Sequence, residues 1–171
     1  ITISKTANFT VGYLQLPEPT YMAGKQGNPT TWFAQPDNGI FDFTDGEMNH
    51  TLYLNTGSRA QHRNIGESDA DEPYTIKQLE GNADGGTIQV SAFGRTNTYY
   101  SVRRIQGDFG GGEDFVYIDS SVQVPVIING GEGDDNIIYE GFGGENIVTI
   151  HGNGGADMIL NAGPGAITAF G

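Results

Sequence analysis

Cysteine is absent from the 171 residues, which excludes disulfides, thiolate metal sites and a cysteine nucleophile. That absence fits a secreted or cell-surface bacterial protein better than a disulfide-stapled animal one. Basic side chains are scarce: eight Lys and Arg stand against 21 Asp and Glu, a formal net charge of -13, and none of the eight lies beyond Arg104. Nucleic-acid affinity rests on clustered Lys and Arg, so a phosphate backbone is excluded as partner. No apolar run approaches the roughly 18 residues of a membrane span. Ile1 is not a methionine and opens no signal-peptide pattern, so the chain is expected to be trimmed or excised from a longer one. Catalytic signatures are missing too: His50, His62 and His151 share no metal-ligand spacing, and neither H-E-x-x-H nor G-x-S-x-G occurs. The expectation is a protein that is not an enzyme.

Helical periodicity is also lacking, while Gly, Asn, Asp and Thr interrupt the chain every few residues. This predicts an all-β chain of short strands. In residues 1-86, Phe9, Val11 and Tyr13, then Phe41 and Phe43, then Leu52 and Leu54 alternate with polar neighbours, which predicts antiparallel strands that bury one face. Longer irregular stretches lie at Pro17 to Thr30 and Thr56 to Pro73, and the acid run Glu67-Ser68-Asp69-Ala70-Asp71-Glu72 reads as a solvated loop without a companion turn. Tyr21, Trp32 and Phe33 are the aromatics that could stack on a glycan, with core packing as the competing assignment.

Residues 87-171 have a different texture. Short apolar segments such as Phe115-Val116-Tyr117-Ile118, Ile137-Ile138, Ile147-Val148-Thr149-Ile150 and Met158-Ile159-Leu160 recur every 10 or 11 residues from Asp114 onward. A fixed period predicts a parallel solenoid, with two segments to each coil. Pro125, which has no backbone donor, belongs at a strand start or a bulge. The last segment, Ala166 to Gly171, is apolar and has no polar cap after it, so either a continuing polypeptide or end-to-end self-association is expected there.

From Ile105 on there are ten carboxylates and sixteen glycines. Three Gly-rich turns end in Asp114, Asp135 and Asp157, spaced 21 and 22 residues apart. Stacking these turns would place the aspartates in one column, which needs a cation because it has no basic residue to offset it. Calcium takes six to eight oxygens at about 2.3–2.6 Å, and tight glycine turns can aim backbone carbonyls inward beside a carboxylate. The candidate ligand-bearing positions are Gly110, Gly112, Asp114, Gly131, Gly133, Asp135, Gly152, Gly155 and Asp157. Asn146, on the opposite edge, brings no charge, so calcium is expected to favour one edge; the competing assignment is a plain parallel β-helix whose aspartates cap turns through their own backbone.

Gly130-Gly131-Glu132-Gly133-Asp134-Asp135-Asn136-Ile137-Ile138 fits the pattern G-G-x-G-x-D-x-U-x throughout. Here the chain resembles the RTX-type calcium-binding parallel β-roll of secreted bacterial proteins. Weaker copies run over 109–117, where Phe109 replaces the first glycine, over 141–149, and over 152–160, where Asn153 replaces the second. The resemblance implies a right-handed β-roll or β-helix and bound Ca2+; together with the uncapped last segment, the expectation is a structural role, in a surface fibre or layer. It also leaves open an adhesin module or the appendage of a secreted enzyme.

Overall fold

The structure, a computed structural model, describes residues 34–36, 41–42, 47–48, 50–63, 65, 69–142 and 148–171. The expected strand around Phe9 to Tyr13, the loop from Pro17 to Thr30, the aromatics Tyr21, Trp32 and Phe33, Phe43, and Asn146 lie outside these residues. The described chain is all-β: β1 (Ala34–Pro36), β2 (Phe41–Asp42), β3 (Glu47–Met48), β4 (Thr51–Leu54), β5 (Pro73–Asn82), β6 (Gly85–Ala92), β7 (Arg95–Val102), β8 (Arg104–Asp108), β9 (Phe115–Ile118), β10 (Val126–Glu132), β11 (Asn136–Tyr139), β12 (Val148–Gly154), β13 (Met158–Asn161) and β14 (Thr168–Phe170). Among the described residues the one helical segment is a 3-10 turn at Gly57–Arg63, and no helix is long and apolar enough to cross a membrane.

Two six-stranded sheets carry the fold, ordered β1-β4-β8-β10-β12-β14 and β13-β11-β9-β5-β6-β7. From β8 onward, successive strands go alternately to one sheet and the other. Pairing is parallel from β4 through β14 in the first sheet and from β5 through β13 in the second. Antiparallel pairing occurs in β1 with β4, in β2 with β3, and in the β5-β6-β7 meander. The boundary expected at 86/87 falls inside that meander, and β4 and β5 are hydrogen-bonded members of the same two sheets as the later strands.

Alternation within each strand supplies the core. Leu52, Ile105, Val126 and Val148 stand in register in one sheet. Facing them, Tyr74 and Ile76 are in register with Val116 and Ile118 and then with Ile137 and Tyr139 in the other sheet. All of these are buried, and each such aliphatic side chain contributes about 1.5–3 kcal/mol through removal from water. β1 and β3 were not anticipated, nor were two longer strands, β8 and β5. β8 carries a single apolar residue, Ile105, and it forms because its backbone is sandwiched between β4 and β10. β5 starts at the end of the stretch read as irregular. Pro125 immediately precedes β10, and its carbonyl accepts the Ile105 amide at 2.9 Å. The far edges, β13 and β14, leave Met158, Leu160 and Phe170 about half exposed, and Phe170 lies stacked on His151 with ring centroids 4.6 Å apart.

Candidate metal centre

The crossings from the first sheet to the second after β8, β10 and β12 are tight turns, and these turns stack. The stacking demands left-handed backbone where the turns touch: Gly110 (φ 83), Gly131 (φ 121) and Asn153 (φ 75) form one row, Gly112 (φ 127), Gly133 (φ 129) and Gly155 (φ 129) another. Asn is the non-glycine residue best suited to positive φ, which accounts for Asn153 in a glycine position. Contact is as restrictive as torsion. A Cβ on Gly131 would meet the Gly110 carbonyl oxygen at 2.1 Å, and one on Gly133 would meet the Gly112 oxygen at 1.8 Å.

The aspartates form the expected column. Asp114 Oδ1 accepts the Glu72 amide at 2.8 Å, Asp135 Oδ1 the Asp114 amide at 3.0 Å, and Asp157 Oδ1 the Asp135 amide at 3.1 Å. Each carboxylate therefore uses one oxygen to reach back to the preceding turn. The second oxygen, Oδ2, of Asp114 and of Asp135 is buried without a hydrogen-bond partner, and both side chains are almost fully buried. Orphaned buried carboxylate oxygens are costly unless something else satisfies them. The glycines of the first sheet make room for them: a Cβ on Gly130 would lie 2.1 Å from Asp135 Oδ2, and one on Gly152 would lie 2.1 Å from Asp157 Oδ2. In the turn ending at Asp114 the corresponding residue is Phe109. Its ring packs edge-on against Tyr74, centroids 5.5 Å apart, so the missing glycine of that copy is replaced by core packing.

An outer row runs the opposite way. Asp71 Oδ1 accepts the Glu113 amide at 3.0 Å, Asp69 Oδ1 the Gly111 amide at 3.1 Å, and Asp134 Oδ1 the Ala156 amide at 2.8 Å. This corrects the assignment of the acid run to a solvated loop without a companion. Asp69 through Glu72 is the first turn of the stack, lying directly against Gly111 to Asp114. The clue in the sequence was the position of the run, immediately ahead of the buried Tyr74 and Ile76. It was obscured by the lack of glycine and by the separation of 42 residues from Glu72 to Asp114.

Eight of the nine candidate residues thus fall in the three stacked turns and their margins, whereas Gly152 lies within β12, beside Asp157 in the row of Gly130, and Asn153 takes the turn position. Among the described residues, no group of three or more His, Asp or Glu side chains is placed to hold a metal ion. The donors gathered here are single carboxylates on successive turns together with backbone oxygens. That all-oxygen set, with two buried oxygens lacking partners, fits a hard divalent cation in chemistry.

Burial pushes the Asp114 carboxyl up to about 7 against the lowering hydrogen bond from the Glu72 amide, and the charges of Asp135, Asp69 and Asp71 push it further. Asp135 is raised by burial, opposed by the Asp114 amide and reinforced by Asp157 and Asp134. In the metal-free chain these groups bind protons more tightly folded than unfolded. Their contribution to stability in chelator is therefore expected to be fully present below about pH 4 and to be lost as pH rises towards about 7. Thermal melts across that range check this, and stability that rises with pH would contradict it. Comparison with protein-family models, with curated proteins and with solved structures gave no match.

Proposed function

We propose that this chain is a non-catalytic, calcium-binding structural segment of a secreted or cell-surface bacterial protein. Each pair of strands from the two sheets would then make one coil of a β-roll similar to the RTX type, and calcium would lock successive coils. The observation that carries this reading is the buried carboxylate column, with Asp114 Oδ2 and Asp135 Oδ2 unpartnered in a stretch that contains no Lys or Arg. A column of this kind repels itself when ionised, and a divalent cation between turns turns that repulsion into attraction.

Asp114, Asp135 and Asp157 would hold the ions, helped by carbonyls of the glycine turns, and the cation's role is charge neutralisation and cross-linking rather than chemistry on a substrate. The half-exposed apolar residues of β13 and β14 offer an edge for pairing with a second copy, consistent with a fibre or surface layer.

Calcium titration followed by circular dichroism and melting tests the reading. For a Kd of about 0.1 mM, millimolar calcium adds roughly 1.4 kcal/mol per site. Magnesium is expected to give little, because it demands a smaller octahedral cage and gives up its water reluctantly. A melting temperature that ignores both calcium and chelator would overturn the proposal.

A further inference from the structure

The carboxylate column does not treat its members alike. Glu72 stands at its head, in register with Asp114 because Pro73 pairs with Phe115, and it is as fully buried as any member of the column. Both of its oxygens are engaged. Oε2 accepts the Gly57 amide at 3.2 Å, and Oε1 accepts from Nη1 of Arg63 in a buried ion pair. Asp114 and Asp135, one and two turns further on, each keep an unpartnered oxygen.

Arg63 is an unusual residue to find there. Its side chain is completely buried, and its guanidinium lies 5.0 Å from the centre of the Phe93 ring, a cation–π arrangement that holds charge away from water. It arrives through the 3-10 turn Gly57–Arg63, which is inserted in the first crossing between the sheets at a place where the later crossings have only a tight turn. Burial raises the Glu72 carboxyl, and the guanidinium, next in weight, pulls it back.

We infer that the Arg63 guanidinium is a built-in substitute for the metal at the head of the column, filling a latent cation site on Glu72. This rests on the calcium reading of the turns that follow. The stack then has a polarity. The buried carboxylate of its first turn is neutralised by the chain itself, so that turn forms without metal, whereas the turns ending at Asp135 and Asp157 depend on a divalent ion. The β4 and β5 end serves as the seed on which later turns order as calcium arrives. Removing the guanidinium leaves the buried Glu72 carboxylate without its counter-charge.

The test uses the whole 171-residue chain as wild type, Arg63→Ala, and Arg63→Ala with Glu72→Gln, each titrated calorimetrically with calcium chloride. The expected result is one additional calcium equivalent in Arg63→Ala relative to wild type, with the extra equivalent gone in the double variant. The melting deficit of Arg63→Ala in chelator should also shrink when calcium is added. Equal stoichiometry in all three proteins, with a deficit indifferent to calcium, would make Arg63 a structural ion pair only and overturn the inference. A wild-type chain that takes up no calcium would overturn the reading of the column itself, and the wild-type arm alone reveals that. Should Arg63→Ala fail to fold, amide exchange on the wild type decides. In chelator, the Gly57 and Arg59 amides are expected to stay protected while those of Asp135 and Met158 lose protection. Uniform loss, or uniform retention, along the column contradicts a seeded stack.

Discussion

Asp135→Asn is expected to change the sign of its effect with calcium. In chelator the variant should be as stable as the wild type or more so, because it removes one charge from a buried acidic column while keeping an amide oxygen to accept the Asp114 N–H now bonded at 3.0 Å. In millimolar calcium it should be less stable, and its affinity should fall by no less than the roughly 10–100-fold that even an outer partner of a metal typically costs. Asp135 is the most sensitive position because its turn lies between those of Asp114 and Asp157, so its carboxylate can serve ions on both sides. Calorimetric titration and paired melts, with and without chelator, read both halves of the crossover. If the substitution lowered stability equally in the two conditions, the aspartate would be a turn-capping residue and no calcium ligand.

Gly133→Ala is expected to be among the most damaging single-methyl additions, on the order of 3 kcal/mol or more, because two named mechanisms coincide. Its φ of 129 is a backbone conformation that L side chains rarely adopt. The added Cβ would also fall 1.8 Å from the Gly112 carbonyl oxygen, a backbone atom held in the adjacent turn. Gly94→Ala separates the two causes: Gly94 has a φ of 72 but nothing within 4 Å of its Cβ position, so it tests torsion alone and should cost about 1 kcal/mol. Urea unfolding of the two variants in calcium measures the difference. Similar losses at the two positions would mean that the turns are not in contact as described.

The aspartate column and the glycine rows were legible because both are local demands repeated at a fixed interval. Gly-rich turns recur with an aspartate at the same place in each, 21 and then 22 residues apart, and a strand of alternating apolar residues follows. Repetition converts a local pattern into a contact map, since equivalent residues must stack. The copy with Phe109 in place of glycine belongs to the same set. Its departure from the pattern makes sense once Tyr74 is seen against its ring, a contact between residues far apart in the chain.

What the sequence by itself determined is thus the all-β character, the buried faces of β9 through β12, the turns and the acidic column. Only the tertiary structure decided where the stack begins. The first turn carries Asp69, Asp71 and Glu72 without a glycine, is widened by Gly57–Arg63, and is separated from its neighbour by the β6 and β7 strands. Local pattern is silent about such a pairing, because the partners stand 42 positions apart and the β5-β6-β7 meander lies between them. The pairing is settled instead by shared burial. The backbone of β5 completes its hydrogen bonds against β9, Tyr74 and Ile76 leave water beside Val116 and Ile118, and the Glu72 carboxylate, carried inside with them, requires the one buried guanidinium that the fold delivers to it.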